Sequence, residues 1–544
     1  MNKIKYLILF LVCCINAQID YGVNYELKYT NGEIETTDIF ENYFDINLYF
    51  DEFYFYSLFR YKDPALIGSP TKEIDDMFDI FYLDYSKDNF QLQIGDIFQS
   101  YGSGLSMHSF EDRSIDYNNA PRGGAITYYL TDNIDVFATA GMNKFSTRTS
   151  PAILEPDIQI DNEVYLGGIS YRNDYLDLFY LSMLNNQFID SESIQSMKSL
   201  DTVLGKYLSQ RYTAFINSPA DYNMRVLEHN FGSTVYLENL ELYFEKSWVF
   251  YNKINDERIS GYKYYFSSYF SLADYGILYE YKNYNTPYYF SVYSNPPIVF
   301  KESSSTLISR NLHNVDFSNE VGHHILVNKS FSEQLNLSLS TAFAYRHLYD
   351  DTIVEPKIGR ILKSMIKLND LDIFLEDLKP YRQLYAEVNG ISKNEKIFYK
   401  LGLDDYSQYA PAPDKKIRAK TFTSQFTFKN DSGNSVSCYL EYQKMFYLHL
   451  NPTEIHRYAY LSPSYNHYGK WILSMFYDIE YEINNAHNFK EGFMGMDITY
   501  YVNDNNILSI FLGSQKGGLV CANGTCIMQP DFKDGFKITS KIIF

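Results

Sequence analysis

The run Trp471-Ile-Leu-Ser-Met-Phe-Tyr-Asp-Ile-Glu-Tyr-Glu-Ile483 decides the fold class. Trp471, Leu473, Met475, Tyr477, Ile479, Tyr481 and Ile483 fall on one face of a strand, and Ser474, Asp478, Glu480 and Glu482 on the other. Successive β side chains point to opposite sides, so one face is greasy and the other charged. Phe90, Leu92 and Ile94 alternate with Gln91 and Gln93 in the same way, and Phe53, Phe55, Phe59 and Tyr61 oppose Tyr54, Tyr56 and Arg60. A soluble sandwich would also alternate. Two further facts favour a membrane wall. The chain of 544 residues carries 54 Tyr and 40 Phe, and they crowd the apolar faces as lipid-facing aromatic girdles do. The connections also fall into two length classes.

Short connections are expected at Asp51-Glu52, Ser86 to Asn89, Thr131 to Asn133, Tyr171 to Asp174, Asn466 to Gly469 and Asn503 to Asn506. Between them lie long connections at 62–77, 99–121, 145–161, 187–222, 294–314, 347–378, 405–415 and 515–531. Alternating short turns and long loops are the asymmetry of outer-membrane barrels, with turns in the periplasm and loops outside. The rhythm continues from end to end without a linker, a low-complexity block or a repeat. The expectation is all-β, a single large antiparallel transmembrane β-barrel of roughly 20–26 strands with loops folded into the lumen. Such a barrel is too wide to stand empty, so loops, inward side chains or a partner must fill it.

The first residues read as an address. Lys3 and Lys5 precede the apolar stretch Tyr6 to Cys14, and Ala17 precedes Gln18. That is the anatomy of a secretory signal peptide, giving 1–17 as leader and 18–544 as barrel. Strand pattern starts within a few residues of Gln18, so no N-terminal plug domain is expected. Two of the five cysteines fall in the leader, and export permits a disulfide among the rest. Cys521 and Cys526 flank the turn-forming Ala-Asn-Gly-Thr and are expected to close a small loop; Cys438 is expected to be a free, packed thiol. At the other end, Phe536, Ile538, Ile542 and Phe544 share one face of a last strand, against Lys537, Thr539 and Lys541. An alternating final strand ending in Phe resembles the sorting signal read by the barrel-assembly machinery. The expected location is the bacterial cell outer membrane, in contact with its lipid.

The net charge of −20 excludes nucleic acid as a partner, since that needs a basic face. No nucleophile elbow, phosphate-binding loop or His-Glu-x-x-His run is present, so the reading is of no enzyme and no cofactor. His313, Asp316, His323 and His324 are close in sequence, but strand geometry would send Asp316 and His324 to one face and His313 and His323 to the other. No metal site is expected there. Helical spacing marks Met197, Leu200, Leu204, Tyr207 and Leu208, and again Ile358, Ile361, Leu362, Met365 and Ile366, as short loop helices.

The candidate functional segment follows Gly95-Asp96. It holds Tyr101, Gly102, Gly104, His108, Glu111, Arg113, Asp116 and Arg122. The glycines allow tight turning, and Arg113 and Arg122 can pair with Asp96, Glu111 and Asp116. Either a plug held by ion pairs or a solute-binding constriction fits this composition. Gly95-Asp-Ile-Phe-Gln-Ser-Tyr101-Gly-Ser-Gly104-Leu, Glu111-Asp-Arg113 and Asn119-Ala-Pro-Arg122-Gly123 resemble a motif of an uncharacterised outer-membrane β-barrel family of Bacteroidota and related bacteria. Pro380-Tyr-Arg382-Gln-Leu-Tyr-Ala386 and the end from Gly517 through Cys521 and Cys526 to Phe544 are similar to the same proteins. The resemblance implies fold and location and adds no reaction. The leading functional expectation is a channel or transport-associated, porin-like barrel for small solutes, with Asp478, Glu480 and Glu482 favouring cations. The alternative is a structural barrel that holds a partner protein in an export or surface-attachment complex.

Overall fold

The computed structural model describes residues 20–33, 38–71, 77–148, 154–196, 222–252, 258–286, 291–303, 305–310, 312–313, 315–347, 380–411, 414–448, 454–484, 486–522 and 525–544. Twenty-four strands form one antiparallel sheet, each paired with its neighbour in sequence. The first strand, Asp20–Glu33, pairs with the last, Phe532–Ile543, in the register Tyr29↔Ile538, and this closes the barrel. Closure satisfies both edge strands and leaves no backbone ladder open. Phe544 finishes the seam: its N–H donates to the Val23 carbonyl at 2.8 Å.

Both ends of the sheet lie at the short-turn rim. There Asp51-Glu52 and the turns at 88–89, 132–133, 238–239, 273–274 and 504–505 join strands, and the longest joins are 392–396 and 430–434. The opposite rim carries 97–121, 190–221, 286–318, 346–380 and 516–531. One expected long connection is corrected. Residues 405–411 and 414–415 are strand: Ile397–Pro411 and Asp414–Lys429 run on until Pro411 opposes Asp414. Their charged and polar composition had imitated a loop, because these strands rise beyond the apolar belt.

The strand faces segregate as alternation requires. On Trp471–Asn484, Trp471, Leu473, Met475, Tyr477 and Tyr481 are exposed, while Asp478 and Glu480 are buried. Leu403, Met494 and Met142 are each 60% exposed or more. An apolar surface this continuous would cost about 25 cal/mol per Å² in water, so the outward face calls for hydrocarbon. The packed core is inside the barrel. Met107, Val164, Leu181, Met183, Val226, Val249, Val292 and Tyr293 form one buried cluster, and Phe300, Ala344, Tyr381, Tyr406, Ile417 and Met445 another. Each cluster combines the inner wall with a loop from the long-loop rim. The leader 1–17 and the two expected loop helices at 197–208 and 358–366 lie outside the described residues, save for a helical turn at 191–196.

Candidate functional site

Two loops, 97–121 and the described residues of 291–318, fold into the lumen with a hairpin from the connection 516–531. Ile97, Leu105, Ser106, Met107 and Asn119 are fully buried, which a loop over the barrel mouth would not be. Its burial places the first loop inside the lumen.

The base of the first loop is flanked by a cross-strand pair that faces outward and not into the lumen as expected: Arg122 is 45% exposed and lies over the exposed Phe81 ring. Asp96 and Arg122 oppose each other at the ends of their strands. The guanidinium donates from Nε and Nη2 to the two carboxylate oxygens, both at 2.9 Å, and Asp96 also accepts from the Phe81 N–H at 2.7 Å. Arg113 meets Glu111 at 3.5 Å, Asp45 at 3.7 Å and the Tyr56 hydroxyl at 3.1 Å. Burial pushes the Glu111 carboxyl up, against the lowering effect of Arg113. Asp116 does not join these arginines as expected. It turns to the wall, where Arg60 reaches it at 2.8 Å and Lys62 at 2.7 Å.

The tip of the loop is held by wall carboxylates and amines. Ser103 donates from N at 2.6 Å and from Oγ at 2.5 Å to Glu245, which is fully buried and also accepts from Asn230 at 2.7 Å and from the Tyr243 hydroxyl. Gly102 and Gly104 flank that serine at φ +60° and +86°. A Cβ at 102 would fall 2.4 Å from the Phe179 ring, and one at 104 would fall 2.8 Å from the Asn295 carbonyl. Both glycines therefore permit the conformation and the close approach. The Leu105 carbonyl accepts from Lys263 Nζ at 2.7 Å. Tyr101 stacks on Phe137 with centroids 4.3 Å apart, and burial pushes its hydroxyl up to about 12. His108 Nδ1 lies 2.9 Å from the Ser100 hydroxyl, and burial lowers its basicity.

The second loop was expected only as an outer connection. It is locked to the first: Asn295 N donates to the Gly104 carbonyl at 2.9 Å, and His108 N to the Tyr293 carbonyl at 2.7 Å. Its short helix α1, Thr306–Ser309, is pinned by Glu441, which accepts from Ser305 Oγ at 2.8 Å, Thr306 N at 3.0 Å and Leu307 N at 2.8 Å. Arg310 pairs with Asp478, and Lys516 reaches Glu480 at 2.6 Å. Asp478 and Glu480 are therefore paired with cations from the inward-folded segments; the Glu482 side chain lies outside the described residues. Ile527 packs with Ile115 and Ile67, tying the C-terminal hairpin to the first loop.

The histidines are dispersed. His313 lies 3.1 Å from Glu320, His324 bonds Glu280 at 2.7 Å, and His323 stacks outward on Phe343. Among the described residues no cluster of three His, Cys, Asp or Glu is placed to hold a metal. Cys521 and Cys526 oppose each other directly in the hairpin Gly518–Ala522/Thr525–Gln529. Cys438 is a free, half-buried cysteine.

A family model described as "Family of unknown function (DUF6029)" matches residues 14–544. No curated protein matches the chain. Among solved structures, the siderophore receptor PirA from Pseudomonas aeruginosa is 8% identical, covering 97% of this chain and 81% of that chain at a TM-score of 0.43. The copper transporter OprC is 9% identical, over 97% and 81%, at 0.44. The translocation pore of the P pilus usher PapC is 10% identical, over 97% and 99%, at 0.39.

Proposed function

Because the chain belongs to the Family of unknown function (DUF6029), a description that carries no activity, we propose its function from the geometry alone: a gated outer-membrane barrel for a small solute, closed at rest by its own loops. The outward apolar face and the short-turn rim holding both sheet ends support the outer-membrane placement. The observation that carries gating is the polarity of the plug's grip. Ser103 on Glu245, Asp116 on Arg60 and Lys62, and Arg310 on Asp478 are hydrogen bonds and ion pairs. Water and ions can replace such contacts when the loop withdraws, although withdrawal must also part the apolar clusters around Met107 and Phe300 from the wall. A lumen closed for purely structural reasons has no need of so many charged partners.

Single-channel recording of the purified barrel in planar bilayers tests the reading. The wild type should be nearly silent, with rare openings. Removing residues 98–120 together with 292–317 should give a large, stable conductance. A double deletion that folds and stays silent would overturn the transport reading and favour the structural one, in which the loops hold a partner protein.

A further inference from the structure

On the outer face of the strands from Tyr381 to His467, charge gathers where lipid headgroups would lie. The strand Asp414–Lys429 points Lys416, Arg418 and Lys420 outward, since the intervening Ile417 and Ala419 are buried. Across the sheet, Lys420 opposes Lys444, and Lys444 opposes Arg457, so three cations stand side by side in one row. Like charges directly opposite each other destabilise a sheet. Arg382 joins from the other side, beside the Asp405 carboxylate that Arg418 holds at 2.8 Å and Arg382 at 3.2 Å. Asp405 is the one carboxylate among the described outward side chains of these strands, and Lys444 and Arg457 have no carboxylate partner among the described residues. In a chain of net charge −20 this patch runs against the whole.

Directly below it, toward the middle of the wall, lies a groove of about 790 Å³. Ile325, Leu339, Leu384, Leu403, Phe422 and Tyr442 line it, and Asp405, Lys420 and Lys444 form its upper edge. Arg382 is the second residue after the connection 346–380, which puts the cations at the long-loop rim. An apolar slot continuous with a basic shelf matches one kind of molecule, an acyl chain joined to a phosphate.

We infer that this face is a docking site for a phosphorylated, multiply acylated lipid of the outer leaflet, with phosphate on Lys420, Lys444 and Arg457 and an acyl chain in the groove. The inference rests on the membrane placement proposed above. The lipid phosphates offset the row of like charges, and the guanidinium can grip them bidentately.

Diphosphoryl lipid A titrated into the full-length barrel in dodecyl maltoside micelles, read by native mass spectrometry, tests this. The wild type should hold the lipid through detergent exchange. Lys420→Gln, Lys444→Gln and Arg457→Gln combined should weaken binding about a hundredfold, at roughly fivefold per cation. Leu403→Trp should weaken it with every charge intact, by filling the groove. Heat-modifiable mobility on gels confirms that each variant is folded, and loss of like-charge repulsion favours folding of the triple variant. Equal affinity in the triple variant, or equal binding of a phosphate-free diacylglycerol, would overturn the proposal. Membrane fractionation of the wild type tests the placement separately, so a misplaced barrel and a missing lipid site give different results.

Discussion

Lys62 reaches from the barrel wall to Asp116 on the inward loop, Nζ to Oδ1 at 2.7 Å, with its side chain only 3% exposed. The same carboxylate takes Arg60 at 2.8 Å, so one loop residue neutralises two wall cations. The loop is thereby a component of the wall's charge balance. Removing it strands Lys62 in a closed space, while Arg60 keeps the wall's Asp79 at 3.1 Å.

Asp116→Asn should therefore loosen the plug without dismantling the barrel. Breaking a buried pair by neutralising one partner costs about 3–5 kcal/mol, because the other charge stays desolvated. The barrel's backbone ladder does not involve Asp116. Amide hydrogen exchange by mass spectrometry should show faster exchange in 97–121 and unchanged exchange in the strands. Unchanged protection of 97–121 would show that the pair does not hold the loop.

Glu245→Ala should act at the other end of the same loop. The buried carboxylate collects donors from Ser103, Asn230 and Tyr243. Truncation leaves several buried donors unsatisfied, at about 1–3 kcal/mol each. The expected outcome is a rise in open events in bilayer recordings at least tenfold over wild type, since about 1.4 kcal/mol already shifts an equilibrium tenfold. A variant as quiet as wild type would place the gate elsewhere, with Glu441 beneath the second loop as the next target.

The barrel was legible in the sequence because its physics is local. Alternation in Trp471 to Ile483 needs no knowledge of neighbours, and lipid and lumen impose it on every strand. The plug was half legible. Glycines at 102 and 104 and the arginines at 113 and 122 marked the first loop as unusual, and the Asp96–Arg122 pair followed from their places at its roots. The partners across the lumen were hidden. Glu245 is 142 residues from Ser103, and Glu441 is 134 from Leu307. In their own strands both look like ordinary inward carboxylates. The same blindness affected Asp478 and Glu480, which read as a free acidic lining until Arg310 and Lys516 arrived from distant loops. Residues 405–411 and 414–415 read as a loop for the converse reason: a strand that leaves the membrane loses its apolar face.

Acid should loosen the plug through His108. Burial holds its imidazole below the ordinary value of 6.5, so the folded loop prefers the neutral ring. The unfolded loop binds the proton first, and the stability of the folded loop is complete above pH 6.5 and falls as pH drops from there through the depressed value. Glu111, raised by burial, works in the opposite sense, because its protonation favours the folded loop. Comparing wild type with His108→Asn isolates the first effect. Exchange of 97–121 should rise between pH 7 and 5 in the wild type and rise less in the variant. Identical profiles would remove His108 from the pH response.

The hairpin geometry sets up a test of the expected disulfide. Cys521 and Cys526 are directly opposed across the strand pair, which brings the two backbones close enough for a bridge to form. The exported protein, purified without reductant and alkylated while denatured, should carry one alkyl group, on Cys438, and should gain two more after reduction. Three groups before reduction would show both thiols free.

Deleting Phe544 should lower the yield of assembled barrel. The residue is 69% exposed on the outward face, so it packs nothing in the lumen. Its backbone nonetheless closes the seam through two bonds to Val23, its N–H donating at 2.8 Å and its carbonyl accepting at 3.4 Å. Losing both costs only about 1–3 kcal/mol, too little to unfold a closed sheet of this size. A strong loss of assembled protein would therefore mean that the terminal Phe is read during insertion and does not act through stability. The measurement is the heat-modifiable fraction in membranes, beside the denaturant midpoint of whatever barrel does form. A large drop in the first with little change in the second is expected. Normal levels of heat-modifiable barrel would contradict the sorting role, and a matching drop in both would assign Phe544 to the seam alone.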